Sequence, residues 1–210
     1  MSIVFVTGTA TEVGKTWTLV RVLHALRADG RNVAARKPTQ SFAPEELGHT
    51  DADLLGAATG ADAVAVCPAH RWYATPMAPP MAAAVLGEPA FTIADLARET
   101  MASMPTDGGV FVEGAGGPRS PLAADGDNVD LARALGAGVA ILVADAGLGT
   151  INAVRLCVDA LAGFDTLVYL NRFAAGRDLH ERNRTWLDAA GYQILVDIDG
   201  MVDAVAARLP

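Results

Sequence analysis

Basic residues are scarce in this chain: 16 Lys and Arg stand against 24 Asp and Glu, a net charge of −8. That balance disfavours non-specific contact with nucleic acid or with an anionic membrane surface, while leaving room for a local basic pocket. Long apolar runs are also missing. The longest are of strand length and are broken by charges and glycines, well short of the roughly 18 residues of a membrane span. No basic n-region or cleavage site precedes the first apolar run, so the expected location is cytoplasmic. Cysteine is limited to Cys67 and Cys157. Two cysteines so far apart read as small buried hydrophobes, Cys67 at the end of a strand and Cys157 within a helix, rather than as a disulfide or metal pair. The four histidines, His24, His49, His70 and His180, have no ligand spacing, and none is assigned to a metal.

Apolar residues make up 51% of the 210-residue chain, enough for a sizeable core in one domain over 1–210. Short β-rich runs recur at 2–7, 33–37, 63–67, 109–113, 139–144, 166–170 and 193–197. Helical patterns fall between most of them, at about 15–29, 51–59, 93–104, 128–136, 150–163, 178–190 and 200–208. In the first helix Trp17, Val20, Leu23 and Leu26 make one apolar stripe. Alternation of this kind implies parallel strands joined by crossovers. Runs such as "VAILVA" are apolar on both faces, as buried parallel strands are. The expected fold is therefore α/β: a three-layer, doubly wound, mostly parallel β-sheet flanked by helices. The proline-rich stretch 75–90, "TPMAPPMAAAVLGEPA", is the one irregular segment long enough to be a functional loop.

The first strand breaks into "GTATEVGKTW", residues 8–17. A strand, a glycine loop and a helix in that order form a phosphate cradle, because the free N–H groups at a helix start attract anions. The usual P-loop has four residues between its glycines; here five separate Gly8 from Gly14. Lys15 would neutralise β- and γ-phosphate oxygens and the Thr16 hydroxyl would ligate Mg²⁺. A phosphate-bound Mg²⁺ takes one or two protein carboxylates. Glu113, which ends "GVFVE" and opens "EGAGG", would point into the crevice where such sheets bind ligands. Asp51 is a second carboxylate, equally suited to a helix start with Thr50 or Asp51 as N-cap. Lys37-Pro38 ends the second strand and aims at the same crevice, with Ser41 close behind as a hydrogen-bond donor. "GLGTINAV" (147–154) reads as a capped helix start with Thr150 near the N-cap, and secondarily as an anion site.

Taken together, these segments resemble the dethiobiotin synthetase family, which carries the lengthened loop as a feature. "KPTQS" is similar to its Lys-Pro segment, "TPMAPPMAA" to its substrate loop and "VEGAGGPRSPL" to its Glu-Gly-Ala-Gly-Gly block. "GLGTINAV" is similar to its Leu-Gly-x-Ile-Asn segment, and "LNRF" followed by "HERNR" to its base-binding region. The resemblance implies a P-loop NTPase-like ligase that uses ATP and Mg²⁺. In that reaction 7,8-diaminononanoate takes up CO₂ as a carbamate, ATP phosphorylates the carbamate, and the second amine displaces phosphate.

By resemblance, Lys37 holds the carbamate, Lys15 bridges to the γ-phosphate, and Thr11 completes the catalytic set. Glu12, Val13, Gly14, Lys15, Thr16 and Trp17 would bind the nucleotide, and Asn171 would read its base. Thr16, Asp51 and Glu113 would hold Mg²⁺. Thr11, Lys37, Ser41, Gly116 and Gly117 would meet the diamine. Thr150, Ile151 and Asn152 would serve the site of a second subunit, which implies a homodimer with shared active sites. Three departures stand out. Ala10 replaces a frequent Asp, "VDIDG" (196–200) replaces a Gly-x-Ile-Pro at the base, and Phe42 after Ser41 would narrow the pocket.

Two rivals were weighed against this reading. A partitioning ATPase of the ParA/MinD type carries a Lys five residues before the P-loop Lys, where this chain has Ala10. A cobyrinate diamide synthase type of amidoligase adds a glutaminase domain with a catalytic Cys, for which 210 residues leave no room. A paralogue acting on another diamine, or a nucleotide-binding module without catalysis, shares the same motifs.

Overall fold

The structure is a computed structural model that describes residues 1–210. Strand β1 (Ser2–Gly8) leads through the glycine loop into helix α1 (Lys15–Ala28). Next come β2 (Val33–Arg36), the two-residue β3 (Gln40–Ser41), α2 (Asp51–Thr59) and the single turn α3 (Ala63–Val66). Strand β4 (Trp72–Tyr73) precedes α4 (Pro79–Val85) and α5 (Ile93–Ala102). The second half opens with β5 (Gly109–Glu113), β6 (Pro121–Ala123), β7 (Gly126–Asp127) and α6 (Asn128–Ala134). It continues with β8 (Val139–Asp145), α7 (Thr150–Ala160) and β9 (Asp165–Asn171), then α8 (Asp178–Ala189), β10 (Gln193–Leu195) and α9 (Ile198–Ala206).

Six strands form one sheet in the order β10-β9-β8-β1-β5-β2, and every pair is parallel. Two small two-stranded sheets, β3-β4 and β6-β7, lie outside it. Side chains of a strand alternate between faces, and the core follows that alternation. Val4 and Val6 pack with Leu19, Leu23 and Leu26 of α1 and Leu55 of α2. Phe5 points the other way, into a cluster with Val110, Val112, Leu96 and Leu131. A third cluster joins Leu142 and Leu170 to Val154 of α7 and Leu187 of α8. Helices therefore cover both faces, and the three-layer α/β expectation holds.

Because all six strands run the same way, their C-terminal ends share one edge. Gly8, Lys37, Glu113, Asp145 and Asn171 all lie at or just beyond strand ends on that edge. Strand order reverses around β1, which has β5 on one side and β8 on the other. That is where doubly wound sheets open a crevice for ligands.

Several local expectations change. The run 63–67 is not a strand: residues 63–66 form the turn α3 and Cys67 is its C-cap. An apolar run this short does not distinguish strand from helix by periodicity. Here the Lys37 N–H beyond β2 is satisfied by the Val66 carbonyl, at 2.9 Å. The stretch 75–90 is only partly irregular, because Pro79 and Pro80 begin α4 at positions where a missing N–H costs nothing. The apolar stripe of α1 is Leu19, Val22, Leu23 and Leu26, not one that includes Trp17. Trp17 is 50% exposed, with the Arg21 guanidinium over its ring at 4.8 Å. His24 is exposed, and no helix is long and apolar enough to cross a membrane.

The corrected stripe makes a direct prediction. Leu23→Ala should cost about 2–5 kcal/mol, the range for a buried leucine, whereas Trp17→Ala should stay within about 0.5 kcal/mol. Denaturant unfolding of both variants checks this, and similar losses at the two positions would contradict it.

Candidate active site

A cleft of about 550 Å³ opens at the C-terminal edge of the sheet, within the usual range for small-molecule sites. The P-loop supplies one wall, with Thr11, Glu12, Gly14, Lys15, Thr16 and Trp17 all lining it. Lys37, Ser41 and Asp51 form a second wall, Pro76–Pro79 a third, and Ala115, Gly116, Ser120 and Pro121 a fourth.

Gly14 is the N-cap of α1 at φ 92°, a left-handed conformation that suits glycine. Space imposes the same choice, since a Cβ there would collide with Asn171 Nδ2. Lys15 folds back so that Nζ donates to the Ala10 carbonyl at 3.2 Å. Burial holds its pKa below the usual lysine value, and the Lys37 ammonium adds to the effect.

At the centre lie one buried lysine, two carboxylates and a hydroxyl. Lys37 is 2% exposed. Its Nζ stands 2.6 Å from Glu113 Oε1 and 2.7 Å from Asp51 Oδ2, and donates to the Gly114 carbonyl at 3.1 Å. Burial alone would lower the Lys37 pKa, but the two carboxylates raise it above the ordinary value and keep the ammonium charged. Glu113 is fully buried at the end of β5, and desolvation pulls its carboxyl upward against the nearby ammonium. For Asp51 burial acts the same way. Lys37 and the Thr16 hydroxyl outweigh it and hold the carboxyl below its usual range.

Thr16 Oγ1 lies 2.7 Å from Asp51 Oδ1 and 2.9 Å from Glu113 Oε1. A hydroxyl has one proton to offer these two acceptors. Glu113 Oε2 has no hydrogen-bond partner at all. The cluster is thus rich in oxygen acceptors and short of protons, which suits a hard divalent cation such as Mg²⁺. Nowhere do three or more His, Cys, Asp or Glu side chains converge on a possible metal. Two carboxylates and a hydroxyl fit an ion that brings phosphate and water ligands with it.

Other predicted residues fall into place differently. Thr50 is the N-cap of α2 and Asp51 its first residue, so Asp51 both begins a helix and faces the cleft. Ser41 Oγ donates to the Met77 carbonyl at 2.6 Å, tying β3 to the proline-rich wall. Gly117 is set back from the cleft: its N–H donates to Ser120 Oγ and its carbonyl accepts from Asn128. Val13 is buried and does not line the cleft. The Asn171 amide donates to the Val13 carbonyl at 2.9 Å. Phe42 does not narrow the cleft; it is buried edge-on against Trp72, with ring centroids 6.2 Å apart. Thr150, Ile151 and Asn152 lie at the start of α7, outside this cleft. Thr150 lies next to the N-cap as expected, the first residue of α7 after Gly149, which holds the N-cap position at φ 92° with no side-chain cap. The segment 196–200 starts α9, where Asp197 caps the Gly200 N–H at 2.8 Å.

Three supporting residues escaped the sequence reading. Gln40 accepts from the Ala52 N–H and donates to Thr50 Oγ1, fixing the start of α2 and with it Asp51. Arg172 donates to the Glu12 carbonyl at 2.9 Å and pairs with Asp145 at 3.1 Å. Glu12 and Arg172 are the two non-glycine residues with positive φ, both at 58°. Such outliers tend to gather where a site constrains the backbone. Asn128, the third, grips the loop after Glu113 from behind. Its one sequence signal is an Asn at a helix start.

A family model described as an AAA domain matches residues 2–166. Curated relatives resemble the chain over most of its length. The ATP-dependent dethiobiotin synthetase BioD of Caulobacter sp. (strain K31) is 38% identical over 164 residues, which is 77% of this chain and 70% of the relative. That of Anaeromyxobacter dehalogenans (strain 2CP-C) is 40% identical, covering 75% and 69%. That of Rhodococcus jostii (strain RHA1) is 42% identical, covering 77% and 68%.

Proposed function

Because the chain belongs to the ATP-dependent dethiobiotin synthetase family, we propose that it closes the ring of dethiobiotin from 7,8-diaminononanoate, CO₂ and ATP in biotin biosynthesis. The observation that carries this reading is the pairing of two buried lysines in one cleft, Lys37 opposite the P-loop Lys15. The chemistry brings two anions together, a carbamate and the γ-phosphate of ATP. Fixed cations aimed at that point stabilise the charge as it develops, at no cost of reorganisation.

One amine of the substrate adds to CO₂ and becomes a carbamate, held by Lys37. The carbamate oxygen then attacks the γ-phosphorus, the bond to ADP breaks, and a carbamoyl phosphate forms. Lys15 and the N–H groups at the start of α1 hold the phosphate oxygens during the transfer. The second amine attacks the carbamoyl carbon, phosphate leaves, and the cyclic urea remains. Thr16, Asp51 and Glu113 would hold Mg²⁺, which supplies further neutralisation of phosphate charge. Ser41 and the Thr11–Glu12 segment position the reacting end of the diamine, with backbone groups of Gly116. Asn171 meets the base once it turns from the Val13 carbonyl. Residues 1–210 form one domain in this reading.

The test is phosphate release from the purified protein with MgATP and bicarbonate, with and without 7,8-diaminononanoate, alongside mass detection of dethiobiotin. Diamine-dependent release with the cyclic urea formed is the expected result. Nucleotide binding without product, after CTP and GTP have also been tried, would overturn the assignment in favour of another amine.

We also propose a homodimer in which the start of α7 completes the partner's site. Leu148, in the turn before α7, is 92% exposed and Leu156 of α7 is exposed as well, apolar surface that a second copy would cover. The Thr150 hydroxyl is buried without a partner at a helix N-terminus, a setting that favours a carboxylate. Chains inactivated by Lys15→Ala, mixed with chains inactivated by substitution at 150–152, should regain part of the activity. No recovery after verified subunit exchange would rule out the shared site.

A further inference from the structure

Asn128 is 1% exposed and uses both ends of its amide. Its Nδ2 donates to the carbonyls of Ala115 and Gly117, each at 2.8 Å, with Ser120 further away at 3.3 Å. Its Oδ1 accepts from the Ala115 N–H at 3.1 Å. The amide orientation follows from these partners, because a flipped side chain would set its oxygen against three carbonyl oxygens. The same stretch is tied to the start of α6 at two more points. The Val129 N–H reaches the Pro118 carbonyl at 3.3 Å, and Arg119 pairs with Asp127 at 2.9 Å. On its other side the loop is bound to β1, where Gly114 N–H donates to Val6 and Gly8 N–H to the Gly116 carbonyl.

We infer that Asn128 is a positioning residue: it sets the path of the 113–120 loop, and so aligns the diamine against Lys37 without touching it. The inference rests on the proposed function for the identity of the ligand. The loop runs directly from Glu113 and presents Ala115, Gly116, Ser120 and Pro121 to the cleft. β1 holds it from one direction only. Without Asn128, the half-buried carbonyls of Ala115 and Gly117 and the Ala115 N–H would each lose a partner, and the loop would shift to find others. Asn128 makes no hydrogen bond to the P-loop, whose link to this loop is the Gly8 N–H on the Gly116 carbonyl, so the nucleotide should be disturbed less than the diamine. A Cβ on Gly114 would collide with Asn128 Oδ1 and press on Phe5, so Gly114→Ala disturbs the same anchor while leaving the Asn128 side chain in place.

Steady-state kinetics of wild type, Asn128→Ala and Gly114→Ala, with melting temperatures, test this. Asn128→Ala should raise KM for the diamine by about tenfold and KM for MgATP by much less. A purely structural role would lower the melting temperature and the active fraction but leave the ratio of the two KM values unchanged. Amide hydrogen exchange gives a second readout that needs no turnover. In Asn128→Ala, residues 115–117 should exchange faster while β5 keeps its protection, and Gly114→Ala serves in the same measurement if the first variant does not fold. Loss of diamine turnover in the wild type would sink the proposed function alone. Unchanged exchange across 115–117, or equal rises in both KM values, would overturn the role of Asn128.

Discussion

A carboxylate with no exposure to water sits at the end of β5, and the rest of the site depends on how Glu113 is compensated. Removing such a group from water costs several kcal/mol unless a cation and hydrogen bonds accompany it. Lys37 provides the cation, at 2.6 Å. That places a lysine at the end of β2 and a glutamate at the end of β5, which are adjacent strands. Asp51 enters from α2 as a second acceptor, and Thr16 brings the first turn of α1 to the same oxygens. One cluster thereby ties together two strands and two helices.

The same arrangement suits chemistry between anions. Lys37 is charged because the carboxylates hold its proton, and its neighbour Lys15 is held in the P-loop by a backbone carbonyl. Neither side chain is free to drift into solvent. Thr16, Asp51 and Glu113 would hold a divalent cation, which would add positive charge beside that of Lys37. Around this centre the loops are held by side chains that take no part in bond making: Gln40 for the start of α2, Arg172 for the P-loop and Asn128 for the loop after Glu113.

What could be read from the sequence is what is written locally. The phosphate loop, the Lys-Pro step and the Glu-Gly block are short motifs whose strand–loop–helix context is also local, so Lys15, Thr16, Lys37 and Glu113 were visible. The layered α/β fold followed from alternating apolar runs. Asp51 was ambiguous because a helix start and a cation site use the same residue type, and here it begins α2 and also faces the cleft. The strand expected at 63–67 failed because a four-residue apolar turn carries no period. Trp17 was misassigned because spacing alone does not tell which side of α1 meets the sheet. Asn128 and Arg172 were not legible, since each acts largely on backbone groups of another loop, Ala115 and Gly117 for Asn128 and Glu12 for Arg172, and such partners leave no side-chain pattern in the sequence.

The central claim is that Lys37 and Glu113 compensate each other inside the protein. A double-mutant cycle with Lys37→Met and Glu113→Gln, followed by denaturant unfolding, measures it directly. Lys37→Met alone should cost about 3–5 kcal/mol, because it strands a buried charge. Adding Glu113→Gln should recover part of that loss, giving a coupling of about 1–3 kcal/mol. Costs that add to within about 0.5 kcal/mol would mean that the two side chains are energetically independent, and the account of the site would fall.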